Sequence, residues 1–184
     1  MPVPRYTVPS LTPEQGGQVA EILQGRLHSL NDLHLTLKHI HWNVVGPNFI
    51  GVHEMLDPQV DAVRAMVDEI AERIATLGVA PQGTPGALVA ARTWEDYHLG
   101  RATAIEHLGA LDEVYQGVIT DHRKAAADTE ELDAVTNDML IGHLSDLEQF
   151  HWFVRAHLES ASGELATGDA TSELEAARRA KKAG

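Results

Sequence analysis

The chain has 184 residues, no cysteine and a net charge of −13. Lack of cysteine excludes disulfides and zinc–thiolate sites, and the acidic surface repels nucleic acid and attracts cations. No apolar run approaches the roughly 18 residues of a membrane span, and the N-terminus MPVPRYTVPS has no apolar signal core.

Hydrophobic residues make up 43% of the chain but aromatics only 5%, which favours helices packed on helices. At this length one domain is expected. Residues 1–12 carry three prolines and read as an extended arm. Thr12-Pro13-Glu14 then starts a helix: threonine as N-cap, proline at the first position, glutamate in the first turn. Apolar residues recur at helical spacing from Val19 to Val44, and Gly46-Pro47 stops the run. A second helical pattern spans Gly51 to Gly78. Asp57-Pro58 interrupts it and also reads as an N-cap followed by proline, at which the helix would begin. Residues 78–92 read as loop, and Thr93–Tyr97 as the start of a short extra helix. A third helix follows to about Ala127, with Leu108, Leu111, Tyr115, Val118 and Ile119 inward. A fourth runs to about Ser162, with Leu140, Leu147, Val154, Leu158 and Ala161 on its buried face. The fold expected over residues 13–162 is therefore all-α, a ferritin-like four-helix bundle with a short extra helix in the crossover between helices 2 and 3.

Residues 163–184 change composition and read as a mobile tail. Its acids (Glu164, Asp169, Glu173, Glu175) cancel its bases (Arg178, Arg179, Lys181, Lys182), so the body keeps the whole −13. Ser172-Glu173-Leu174-Glu175 resembles a capping box for a last helical turn. The four bases are either a solubilising end or an arm that contacts DNA.

The stretch from His41 to Glu72 holds the ligand-type residues His41, His53, Asp57, Asp68 and Glu72. At about 100° per residue, with His53 at zero, Asp57 falls near 40°, Asp68 near 60° and Glu72 near 100°, all on one helical stripe. Yet His53 and Glu72 are roughly 28 Å apart along a helix, too far for one ion. Both pairs, 53/72 and 57/68, share the midpoint 62.5. An antiparallel copy of the helix across a two-fold axis would set Asp57 against Asp68 and His53 against Glu72, twice over. Imidazole and carboxylate ligands without thiolate suit iron, manganese or zinc. Trp42 and Trp152 are placed to donate an electron and quench a radical near such a metal, or simply to fill the core.

The block H-W-N-V-x-G-x-x-F-x-x-x-H-x-x-x-D followed by D-x-x-x-E-R-I, from His41 to Ile74, resembles the signature of the Dps family, the mini-ferritins called DNA-binding proteins from starved cells. The similarity extends more loosely along all four helices, including Gln149–Ser160, and the whole is similar to actinobacterial members with a long C-terminal tail. The resemblance implies a hollow homo-dodecamer built from two-fold dimers. It implies a ferroxidase centre with His41, His53 and Asp57 from one chain and Asp68 and Glu72 from its neighbour. Fe(II) would be oxidised there, preferably by hydrogen peroxide rather than O2, and stored as ferric oxide, protecting DNA. Asp121, Asp128, Glu130 and Glu131 would be candidates for guiding iron through pores or nucleating mineral. The expected location is cytoplasmic, with nucleoid association if Arg178, Arg179, Lys181 and Lys182 meet DNA.

Two other readings compete. A di-iron centre inside one bundle needs a Glu from each of two helices and Glu-x-x-His from each of the others; Glu148–His151 fits that pattern, as does Glu95–His98 in a short segment outside the main helices. Alternatively, the chain is mainly a nucleoid-packing protein that acts through its basic tail.

Overall fold

The computed structural model describes residues 3–184; Met1 and Pro2, the start of the expected arm, lie outside the described residues. Four long helices form the bundle: α1 (Pro13–Asn43), α2 (Phe49–Thr76), α4 (Ala104–Thr129) and α5 (Ala134–Ala156). A short helix, α3 (Pro85–Ala91), lies in the crossover, and α6 (Glu173–Ala183) follows the bundle. Helix α1 packs on α2, and α4 on α5; the two pairs meet through α1–α4 and α2–α5. A two-residue parallel ladder, β1 (Val44–Val45) with β2 (Ala102–Thr103), ties the end of α1 to the start of α4, with Val44 opposite Ala102.

The helix starts follow local chemistry. Thr12 and Gln15 form a reciprocal capping box: the Thr12 hydroxyl accepts from the Gln15 amide at 3.2 Å, and Gln15 Oε1 accepts from the Thr12 amide at 2.9 Å. The core is the apolar stripe of each helix: Leu23, Leu27, Leu30, Leu33, Leu37 and Ile40 from α1 meet Leu56, Ile70 and Ile74, with Leu108, Leu111 and Tyr115 from α4. Each such fully buried side chain contributes about 1.5–3 kcal/mol. Tyr115 is fully buried and donates its hydroxyl to Gln59 Oε1 at 2.7 Å, so its own polar tip is partnered, while the buried Gln59 Nε2 has no partner. The arm lies against the start of α1 and the end of α2. Gly78 has φ +87°, and a Cβ there would sit 2.2 Å from the Tyr6 carbonyl oxygen; both facts require glycine.

The structure departs from the sequence expectations at four places. Helix α2 begins at Phe49, behind Asn48 in the left-handed conformation, and runs through Pro58, as the continuous Gly51–Gly78 pattern predicts; what departs is the alternative start, since Asp57 is a helical residue and not an N-cap. The crossover helix is Pro85–Ala91 and not Thr93–Tyr97. Thr84 caps it by accepting from the Ala87 amide, and Pro85 takes the first position. The 93–97 segment instead sends Trp94 Nε1 back to Asp32 on α1 at 2.7 Å. Helix α5 stops at Ala156, six residues before Ser162, and the chain turns back through Gly163 at φ +87° to bridge Glu159 with Leu165. Leu158 is still buried, but Ala161 is exposed. The fourth departure is the tail: residues 173–183 are folded and docked on α4. Ala176, Ala177 and Ala180 are buried there, against Gly109, where a Cβ would come within 2.8 Å of both the Ala176 carbonyl and the Ala180 Cβ.

Candidate metal centre

Three of the five ligand-type residues meet at one end of α2. His41, in the last turn of α1, stacks on His53 of α2 with ring centroids 3.6 Å apart. His53 Nδ1 lies 3.0 Å from the His41 carbonyl oxygen. A carbonyl only accepts, so this nitrogen carries the proton, and the lone pair of a neutral His53 is on Nε2. His41 Nε2 is 3.1 Å from Asp57 Oδ1, but neither ring nitrogen of His41 has a hydrogen-bond partner, although the side chain is buried. Burial, and then the nearby Lys38 ammonium, push the His41 pKa below its ordinary value, so the ring is neutral and able to coordinate. Lys38 Nζ donates to Asp57 Oδ1 at 2.8 Å, and this bond holds the Asp57 carboxyl below the usual range.

Lys38 is a participant that sequence reasoning missed. It sits nineteen residues before Asp57 on another helix, and no spacing rule within one element links them.

Asp68 and Glu72 lie elsewhere. They are exposed on the same face of α2, and Asp68 is about 16 Å along the helix from Asp57. Within the described residues no hydrogen bond or ion pair involves either carboxylate. Among the described residues of one chain, no three His, Cys, Asp or Glu side chains are arranged to hold a metal ion. The chain thus carries two separated groups of ligand-type residues: His41 of α1 beside His53 and Asp57 at one end of α2, and Asp68 and Glu72 further along α2.

The rival centre inside the bundle is not assembled. His151 Nε2 bonds Asp112 at 2.6 Å, and Asp112 also accepts from Arg155 and Thr167, both at 2.8 Å. Glu148 pairs with Arg123. Glu95 and His98 form a surface pair at 3.2 Å.

The two tryptophans are not core fillers. Trp42 is 71% exposed and Trp152 60%. Trp42 follows His41 directly, with the Lys38 ammonium 6.0 Å from its ring centre. Asp121 pairs with Arg26 at 3.4 Å, and Asp128 with Lys124. Glu130 and Glu131 are exposed in the α4–α5 turn. Among the tail bases, Arg179 is engaged by Glu175 at 2.7 Å and Lys181 by Glu106 at 2.8 Å, while Arg178 and Lys182 are exposed.

A ferritin-like domain matches residues 20–163. The DNA protection during starvation protein of Mycolicibacterium smegmatis is 57% identical over 96% of this chain and 97% of its own. This chain belongs to the Dps family. The Dps fold is matched by DpsA14 from Streptomyces coelicolor, with a TM-score of 0.89 and 64% identity over 90% of this chain and 98% of that one. Another relative, 52% identical over 87% of this chain and 85% of its own, is named as the fine tangled pili major subunit of Haemophilus ducreyi, so the Dps sequence pattern also occurs under a different name. No helix of the described residues is long and apolar enough to cross a membrane.

Proposed function

We propose that this Dps chain oxidises Fe(II) at a centre shared between two copies, stores the ferric product inside a hollow dodecamer, and so protects DNA. The observation that supports this reading is the division of ligands along α2. His41, His53 and Asp57 gather at one end, while Asp68 and Glu72 stand exposed and unpartnered at the other. A two-fold copy of α2 centred between residues 62 and 63 brings the halves together twice. The oxidant is hydrogen peroxide in preference to O2. Two Fe(II) give two electrons, and peroxide with two protons becomes two waters, so no hydroxyl radical is released. Neutral His41, with His53 and the carboxylates, holds the iron substrate. Exposed Trp42 is placed to give up an electron to any radical that escapes, and Trp152 is a second such donor. The acids Asp121, Asp128, Glu130 and Glu131 attract Fe(II) toward the interior. DNA contact, where it occurs, runs through Arg178, Arg179, Lys181 and Lys182; the acidic body makes it weak and salt-dependent.

Subunit mixing tests the shared centre. His53→Ala and Asp68→Ala particles should each fail to form ferric absorbance after Fe(II) and peroxide. Unfolding and random reassembly of the two together should restore about a quarter of the wild-type centres, because each mixed pair has one intact centre out of two. No recovery in properly assembled mixtures would place all ligands in one chain and reject the reading.

A further inference from the structure

Helix α6 is bound where a free basic arm was expected. Its apolar edge, Ala176, Ala177 and Ala180, is buried on α4. Gly109 makes this approach possible, since any side chain there would strike the α6 backbone. Polar contacts fix both ends of the helix. Glu173 accepts from the His98 amide at 3.2 Å at its start, and Lys181 Nζ donates to Glu106 at 2.8 Å near its end. Lys181 and then Thr103 hold the Glu106 carboxyl down at about 2, so it stays ionised through the neutral and mildly acid range. Arg179 is turned back on Glu175 and the Thr167 carbonyl. Two of the four bases are thus neutralised by carboxylates of the same chain, and all four are held close to a body of charge −13.

We propose that docked α6 is the closed state of an autoinhibitory latch: α4 and its Glu106 hold the basic end of the chain against the bundle, and the four bases become available to DNA phosphates together only when α6 lifts from Gly109. The inference rests on the DNA-contact part of the proposed function and adds its regulation. Duplex DNA competes with Glu106 and Glu175 for the same cations. An isolated helix of eleven residues is marginal in water, so a lifted α6 is an extended polycation able to follow a phosphate backbone. Twelve weak arms on one particle would engage a long duplex by avidity.

Two variants of the assembled particle test this. Gly109→Leu wedges α6 outward. Ala110→Cys/Ala177→Cys, both positions buried in one small cluster with Leu99, locks it down on oxidation in a protein with no other cysteine. Trypsin cleavage within Arg178–Lys182 reads the latch without DNA, and mobility shift of linear duplex reads DNA binding. Gly109→Leu should raise both the cleavage rate and the DNA affinity by about tenfold, as expected for freeing a minor open population. The oxidised double-cysteine particle should lose both relative to its reduced form. Equal DNA binding by oxidised and reduced particles would overturn the latch, and so would unchanged cleavage of Gly109→Leu. Absence of duplex binding in every variant, the wedged one included, would also overturn it. Iron oxidation measured on the same particles would then show that the metal centre stands independently.

Discussion

The exposed face of α2 and the outer helix α6 are both charged stripes, yet they close their electrostatics in opposite ways. On α6 four of the six charged side chains find partners within the chain: Arg179 with Glu175, Lys181 with Glu106, Glu173 with His98. On α2 the carboxylates of Asp68 and Glu72 have none, while His53 and Asp57, which the proposed centre would combine with them, lie about 16–28 Å away along the same helix. Charges satisfied at home report how a chain folds. Ligand-type charges left open on a regular stripe report what the folded chain will meet.

The sharpest way to break this contrast is to remove an open charge. Asp68→Asn or Glu72→Gln should cost iron oxidation more than the roughly 10–100-fold typical of losing an outer-shell partner. Thermal stability should move by no more than about 0.5 kcal/mol, because no contact in the chain is lost. Ferric absorbance kinetics beside a melting curve of the same particle checks both.

A closed, buried charge should behave in the reverse way. Asp112→Ala strips His151, Arg155 and Thr167 of their shared acceptor. It should cost about 3–5 kcal/mol of stability, as for breaking a buried ion pair, measured by denaturant unfolding. Iron oxidation per assembled particle should be unchanged.

Acid sharpens the comparison further. His122 is fully buried, with neither ring nitrogen hydrogen-bonded. Burial, and then His143 and Arg26, push its pKa down to about 3. The folded chain therefore binds this proton more weakly than the unfolded one. Its contribution to stability is complete above about pH 6.5 and is lost as pH falls toward 3. The loss should be at most about 1.4 kcal/mol per pH unit. A His122→Leu protein should show a flatter stability profile across that window; an identical slope in both proteins would show that His122 does not titrate there.

The smallest expected effect belongs to Lys38. Lys38→Met removes a cation bonded to Asp57 and frees that carboxylate. Binding of Fe(II), or of Co(II) as a spectroscopic substitute, should tighten by a few-fold at most, as expected for losing a solvent-screened ion pair. Weaker binding would show that Lys38 positions Asp57 and does not compete for it.

Much of the fold was legible because its signals are local. Thr12-Pro13 starts α1, and the leucine spacing from Leu23 to Leu37 marks its buried face. The face of α2 that carries Asp57, Asp68 and Glu72 was legible for the same reason, since angle along a helix depends only on residue number. What stayed hidden depends on context. Pro58 inside α2 costs one backbone bond, so a chain-local rule offers a start at Asp57 beside the continuous helix that forms, and only the structure chooses between them. Thr84-Pro85-Gly86 looks like loop until Thr84 is seen capping α3. The capping signal at Ser172 was visible, but docking of α6 depends on Gly109, sixty-three residues earlier in the chain. Trp42 and Trp152 looked like core residues by type; only the packed bundle shows that they face out.

The proposed division of the centre between two chains also has a consequence for dosage. A centre assembled from two half-sets has no activity in a lone chain. At low abundance, below the association threshold, its yield rises with the square of chain concentration and not in proportion to it. A cell that makes a few copies would have an inert acidic bundle; one that makes many would have an oxidase. The amount of protein made would then itself act as the switch, with no separate activating signal.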